Sequence, residues 1–256
     1  MRKIKDNCSS VGIIHQASDP ANVFIEMKTP GYPTLAYVGK GNLIGGCWEK
    51  QDRTTLETWQ RETLEELTLG NPAIKSEEMD ELFEKGHLRR HSALFNITPT
   101  AGDKERLVEI VTAICSHAKP YAAFVQTVAR SVFDSANPKN TRGNYEGLCH
   151  VFSVPLPDDQ WQPLVELQQR YGNLSSEAQG FITSLEDIVA KNIRIGWAQD
   201  RILQRFFLDH DLGQANQMPL MPDTNAEEVP FEESYDGVLK KYDVEKIPKG
   251  FVRPNA

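Results

Sequence analysis

The stretch from Gly45 to Leu69 limits the fold of this chain more than any other. It reads GGCWEKQDRTTLETWQRETLEELTL, a pair of glycines followed by a polar loop and then by a segment with helical periodicity. Packing residues recur in that segment at spacings of three and four: Leu56, Trp59, Thr63 and Leu67. This spacing is typical of an amphipathic helix with one side in a core, and Thr54 or Thr55 is the expected N-cap. Residues 34–38 and 42–44 look extended, so the predicted order is strand, glycine pair, loop and helix.

A second side of the same helix carries three glutamates. Glu62, Glu65 and Glu66 fall within about 100° of one another around the axis, and about 115° from the packing stripe. Carboxylates at this spacing repel one another unless a cation joins them, and Mg²⁺ takes such oxygen ligands. The glycine pair allows close approach of the backbone, and a carbonyl there would add a further oxygen ligand. The alternative is a solvated acidic face, which a bare ExxEE pattern favours.

These residues resemble the signature of the Nudix hydrolase family. The signature is a glycine, five residues, a glutamate, seven residues, Arg-Glu, an aliphatic residue, any residue, Glu-Glu, any residue, a glycine and an aliphatic residue. Six positions match it: Gly46, Arg61, Glu62, Glu65, Glu66 and Leu69. Four features depart from it. The loop before Arg61 is one residue longer, Asp52 or Arg53 stands for the first glutamate, and Thr63 and Thr68 replace an aliphatic residue and a glycine.

The resemblance implies an α+β fold, namely an α/β/α sandwich built on a mixed sheet. It also implies that Glu62, Glu65 and Glu66, with the carbonyl of Gly46, hold Mg²⁺ or Mn²⁺. Glu62 and Glu65 would then lie at the catalytic centre. Arg61 would orient the acidic side chains through a salt bridge.

A second part of the resemblance lies late in the chain. Residues 184–188 read SLEDI and precede the last predicted helix, as a strand and a similar turn do in the family. Several family members use a late glutamate as general base on the attacking water, and Glu186 is the candidate by position. The alternative for Glu186 is an ordinary surface or N-capping carboxylate.

The activity that the resemblance implies is hydrolysis of a phosphoanhydride bond. Its substrate would be a nucleoside diphosphate linked to another group, such as ADP-ribose, an ADP-sugar, a dinucleotide or a nucleoside triphosphate. Two alternatives remain open. The first is a Nudix-like nucleotide-binding or regulatory module with little turnover, with which the irregular loop before Arg61 is compatible. The second is an unrelated α+β protein with a solvated acidic helix.

The remaining pattern predicts one large domain over residues 1–212, with an insertion at about 70–147, and a C-terminal tail over 213–256. Apolar spacing at 121–133 favours a helix there, with a strand as the alternative. The other predicted elements are strands at 11–15, 23–27, 93–98, 148–156 and 180–188, and helices at 76–85, 103–117, 158–170 and 195–209.

Charge and cysteine content limit the partners. The net charge of −8 argues against general nucleic-acid binding and attachment to a membrane surface. No apolar run approaches membrane length and no signal peptide is expected. The four cysteines lack the spacing of a disulfide framework, so a cytoplasmic protein is expected. The predicted partner is a small nucleotide-diphosphate substrate, with a homodimer left open. Lys28 and Lys40 are near enough in sequence to approach it.

Overall fold

The computed structural model describes residues 1–28, 32, 34–67, 100–137, 139–171 and 178–253. The predicted helix at 76–85, the predicted strand at 93–98 and Leu69 lie outside the described residues.

A mixed sheet forms the centre of the fold. The strands are β1 (Arg2–Ile4), β2 (Cys8–Gln16), β3 (Asn22–Lys28), β4 (Gly41–Asn42), β5 (Ile44–Cys47), β6 (Lys119–Val128), β7 (Tyr145–Leu156), β8 (Ala178–Ser184), β9 (Thr224–Val229) and β10 (Tyr242–Val244). Within the described residues the large sheet has eight strands in the order β4-β3-β2-β7-β6-β9, with β5 pairing with β2 and β8 with β3. The β2–β7 pair is parallel and its other pairs are antiparallel. This confirms the predicted α+β class with a mixed sheet.

Helices cover both faces of this sheet. They are α1 (Thr55–Glu66), α2 (Ala101–His117), α3 (Arg130–Ala136), α4 (Asp158–Tyr171), α5 (Leu185–Ala190), α6 (Gln199–Asp209) and α7 (Tyr235–Lys241). Side chains alternate along β2, so Ile13 packs with α5 and α6 on one face. Ile14 packs with α1, α2 and α4 on the other. The result is three layers with the sheet in the middle.

Two predicted elements are wrong in type. Residues 119–128 form strand β6, and a helix begins only at Arg130. Because β6 lies between β7 and β9, the side chains of residues 122–125 are all buried, and a continuous apolar run offers helical spacings as readily as strand spacings. The segment at 34–38, predicted as extended, contains a short 3-10 helix, Leu35–Tyr37.

Two further elements differ in extent. Strand β8 ends at Ser184 and its continuation is helix α5. Helix α6 begins at Gln199, because Trp197 and Ala198 adopt left-handed backbone angles, with φ of 56° and 59°. The predicted strands at 11–15, 23–27 and 148–156 and the helix at 103–117 are confirmed with slightly wider bounds.

The C-terminal segment packs on the rest of the chain. Strand β9 pairs with β6, and β10 pairs with β1 in a small parallel sheet. The ring of Tyr235 on α7 stacks on Trp48 at 4.0 Å between centroids, which ties this segment to the loop before α1. None of the described helices is long and apolar enough to cross a membrane.

Helix α1 has Thr54 as its N-cap, one of the two residues predicted for that position, and the structure adds a capping box. The Thr54 hydroxyl accepts the N–H of Glu57, and the Glu57 carboxylate accepts the N–H of Thr54, both at 3.1 Å. Replacing Thr54 by alanine should lower the free energy of unfolding by about 1 kcal/mol. Urea denaturation measures this, with Thr112→Ala on the exposed side of α2 as a control that should stay near wild type. Equal stability of Thr54→Ala and wild type would contradict the cap.

Candidate functional site

The glycine pair lies on β5, directly beneath helix α1. Strand β5 runs antiparallel to β2, with Gly45 opposite Val11 and Gly46 opposite Ser10. A Cβ atom at Gly46 would lie 2.3 to 2.5 Å from the carboxylate atoms of Glu62. The Glu62 carboxylate therefore rests on the backbone of β5, in space that any side chain at this position would fill.

The site residues Gly46, Asp52, Arg61, Glu62, Glu65 and Glu66 are called the box. Arg61 holds several acidic groups of the box together. Its Nη1 contacts Glu62 Oε1 at 2.9 Å and Glu65 Oε2 at 3.3 Å. Because both oxygens contact one nitrogen, these two carboxylates lie close together. Its other nitrogens bind Asp52 in a bidentate pair at 3.0 and 3.2 Å and the carbonyl of Cys47 at 2.9 Å. Burial alone would lower the pKa of Arg61, but the hydrogen bonds and charges of Asp52 and Glu62 raise it.

Asp52 fixes the loop between the glycines and the helix. Its buried carboxylate accepts the Glu49 N–H and the Thr58 hydroxyl, each at 2.9 Å, besides the Arg61 guanidinium. The Thr58 hydroxyl is in turn 2.7 Å from the hydroxyl of Tyr235 on α7. Asp52 is thus a structural centre of the loop before Arg61.

The three glutamates of α1 lie in three different environments. Glu65 is at the surface, with 61% of its side chain exposed. Glu62 is largely covered, and Glu66 is buried at 4% exposure. The Glu66 carboxylate accepts the N–H of Gly45 at 3.2 Å. A uniformly solvated acidic face is therefore not what the structure shows.

Two residues of β3 lie beside Glu66. One is Lys28, which was predicted to be near enough to approach the substrate, and the other is Glu26, which sequence reasoning did not assign to a site. Lys28 and Glu26 form a buried ion pair at 2.9 Å. Burial would lower the pKa of Lys28, but the charges of Glu26 and Glu66 outweigh it and raise the pKa. The sequence does contain an indication of this pair: Glu26 and Lys28 are two residues apart, and this spacing puts both side chains on one face of a strand.

The structure does not bring Glu186 to these carboxylates. Glu186 is exposed in the first turn of α5, on the sheet face opposite α1. The preceding Ser184 pairs with Asn22, at the start of β3, whereas Lys28 is at the other end of that strand. The box residues Gly46, Arg61 and Glu62 are brought together, with Glu65 and Glu66 on either side of them.

The oxygen atoms around Glu62 and Glu65 have the chemistry of ligands for a divalent cation. Within the described residues, no group of three or more His, Cys, Asp or Glu side chains is placed closely enough to hold a metal ion as it stands. The chemistry of the donors nevertheless fits a hard cation, because Glu62 and Glu65 converge and Glu62 lies on the Gly46 backbone. The Arg61 guanidinium now supplies the positive charge between them.

Comparison with known proteins finds likeness only among solved structures, since no family model and no curated protein matches. A mutT/nudix family protein from Listeria innocua is 12% identical with a TM-score of 0.42, over 82% of this chain and 96% of that one. A NUDIX hydrolase from Nitrosomonas europaea is 12% identical with a TM-score of 0.36, over 82% and 91%. A NUDIX hydrolase from Alicyclobacillus acidocaldarius is 10% identical with a TM-score of 0.33, over 73% and 83%. At this level of likeness, what the chain does is inferred from its own side chains.

Proposed function

We propose that this chain is a metal-dependent hydrolase that cleaves a phosphoanhydride bond in a nucleoside diphosphate linked to another group. One observation carries the proposal. The Glu62 carboxylate lies on the Gly46 backbone and shares Arg61 with Glu65, while Glu66 is fixed at Gly45. This gathers carboxylate and backbone oxygens at the edge of a helix that is anchored in the core on its other side.

Several acidic groups meet at Arg61. Its guanidinium lies within 3.7 Å of four carboxylates, those of Glu49, Asp52, Glu62 and Glu65. Carboxylate oxygens are the ligands that Mg²⁺ prefers in proteins. A phosphorylated substrate would therefore bind together with Mg²⁺ or Mn²⁺, whose charge offsets that of both the carboxylates and the phosphates.

Each residue of the box has a defined role in the proposal. Glu62, Glu65, Glu66 and the carbonyl of Gly46 hold Mg²⁺ or Mn²⁺, which when bound neutralises charge on the diphosphate and lowers the pKa of a water. Arg61 keeps the carboxylates oriented and stays anchored by Asp52 when Glu62 and Glu65 change partners.

We assign to Glu65 the role of accepting the proton of the attacking water. Glu65 is the most exposed of the three glutamates, so its carboxylate reaches solvent. Glu186 has no part in this assignment, because it lies on the opposite face of the sheet.

The test is product release from a panel of nucleoside diphosphate derivatives. The panel contains ADP-ribose, an ADP-sugar, a dinucleotide and nucleoside triphosphates, each assayed with Mg²⁺, with Mn²⁺ and with chelator. We expect phosphate or nucleotide release from at least one compound with metal, and a fall to background with chelator. Release that survives chelation would contradict the metal requirement.

A second candidate function is a nucleotide-binding module without turnover. The observation in its favour is that Arg61 already contacts both Glu62 and Glu65, so a cation must compete for them. Nucleotide binding by calorimetry, together with no release from any compound in the presence of metal, would support this alternative over the hydrolase.

A further inference from the structure

An open cleft of about 660 Å³ lies next to Arg142. Its volume is in the range of small-molecule sites. The residues that carry its chemistry are Lys5, Asp6, Asn140, Arg142 and Lys246. The cleft lies between the loop after β1, the short helix Leu35–Tyr37 and the loop after α3.

Arg142 is held in place and has no acidic partner among the described residues. Its guanidinium carbon lies 5.3 Å from the ring centroids of both Phe133 and Trp197. Its backbone N–H donates to the Asn140 side chain and its carbonyl accepts from the same amide, both at 2.9 Å. No carboxylate in the described part of the chain is within salt-bridge distance of the guanidinium. The side chain is thus pre-positioned, with N–H groups available to an anion.

The cleft is positively charged in an acidic protein. Lys5, Arg142 and Lys246 face a single acid among its lining residues, Asp6. Asp6 already bonds to the Lys246 ammonium, and it accepts the Glu146 N–H at 2.9 Å. The chain as a whole has a net charge of −8, so this opening is a local exception that favours an anionic ligand.

The cleft adjoins the box through one short path. Asn7 follows the cleft residues Lys5 and Asp6, and its amide donates to Cys47 Sγ at 2.6 Å. Cys47 directly follows Gly46. Burial and the Glu62 charge raise the pKa of the Cys47 thiol, while Arg61 and Arg142 both act to lower it. Asn7 thus connects the cleft residues to strand β5, on whose backbone the Glu62 carboxylate lies.

We propose that this cleft binds a phosphate group of the substrate other than the one attacked, with Arg142 as its principal contact. The proposal rests on the proposed function only in taking the phosphate to be part of the substrate. It makes Arg142 a specificity-determining residue. A substrate without a phosphate that reaches the cleft would leave the guanidinium without a partner.

The experiment separates the cleft from the carboxylates by removing metal. Binding of AMP and of adenosine is measured by calorimetry in chelator, for wild type, Arg142→Gln, Arg142→Lys and the control Arg130→Gln. Arg130 lies outside the cleft in an exposed pair with Asp134, so its loss should change little. We expect wild type to bind adenosine at least about tenfold more weakly than AMP. We also expect the affinity of Arg142→Gln for AMP to be about tenfold lower than that of wild type. Arg142→Lys should retain part of the affinity.

Several outcomes would overturn the proposal. Equal binding of AMP and adenosine, no binding of either, or unchanged AMP binding in Arg142→Gln would each do so. Glu66→Gln should bind AMP as wild type does under these conditions. If AMP binds through Arg142 but no compound is hydrolysed, the proposed function fails and the cleft stands. If a compound is hydrolysed with the same KM by wild type and Arg142→Gln, the cleft fails and the function stands.

Discussion

Replacing Glu62 by glutamine is expected to lower metal-dependent kcat by about 10³-fold, provided that the panel identifies a substrate. Glutamine keeps the size of the side chain but removes one negative charge and one strong oxygen ligand. Glu62 is the carboxylate that lies on Gly46 and contacts Arg61, so its position is restricted. Arg61 retains Asp52, so the free energy of unfolding should stay within about 1 kcal/mol of wild type.

The measurement is kcat and KM at saturating Mg²⁺, with urea denaturation of the same preparations. Glu109→Gln on the exposed side of α2 is the matched control, since it makes the same chemical change away from the box. Unchanged kcat in Glu62→Gln would remove the metal-binding interpretation of the box. A loss of stability of several kcal/mol would instead show that Glu62 acts mainly on the fold.

The parts of the fold that local pattern decides could be predicted from sequence. Helix α1 was predictable because its packing stripe has helical spacing and its cap is a local motif; Trp59 and Thr63 are fully buried as that stripe requires. Strands β2, β3 and β7 were predictable because β-branched and aromatic residues cluster between turn residues.

Strand β6 was not predictable because its environment comes from distant parts of the chain. It becomes an interior strand only when β9, about a hundred residues later, pairs with it. The spacing of apolar residues indicates how many faces of a segment are buried, but it does not indicate which element packs against them. The same holds for the segment after residue 212, which was predicted as a C-terminal tail: the pairing of its strand β9 with β6 depends on a distant part of the chain.

Some features of the candidate site could likewise be predicted from sequence and others could not. The three glutamates were predictable as one patch because helical geometry is local. Their different burial was not, because it depends on how α1 lies on β5 and β3. Glu66 is buried since Gly45 and Lys28 approach it, whereas Glu65 is turned to solvent. Arg142 was not predictable as a site residue, because its position depends on Trp197, far away in sequence.

Replacing Gly45 by alanine is expected to lower the free energy of unfolding by about 3–5 kcal/mol, which is a large share of the stability of an ordinary domain. Gly45 has a φ of 137°, which side-chain-bearing residues rarely adopt. A Cβ there would lie 2.1 Å from the Ser10 carbonyl oxygen and 2.7 Å from the Val11 Cα. Both are backbone atoms of the paired strand β2, so no side-chain rotation relieves the contact.

Gly46→Ala is the matched control for Gly45→Ala, because it makes the same change one residue further on. The atoms that its Cβ would meet belong to the flexible end of Glu62, and Gly46 is not in the left-handed region. We therefore expect Gly46→Ala to unfold at nearly the wild-type urea concentration and yet to lose turnover, because the Glu62 carboxylate must move. Wild-type stability of Gly45→Ala would contradict the pairing of β5 with β2. Full activity of Gly46→Ala would show that the contact between Glu62 and the glycine backbone is not needed for catalysis, and would separate the box geometry from the chemistry assigned to it.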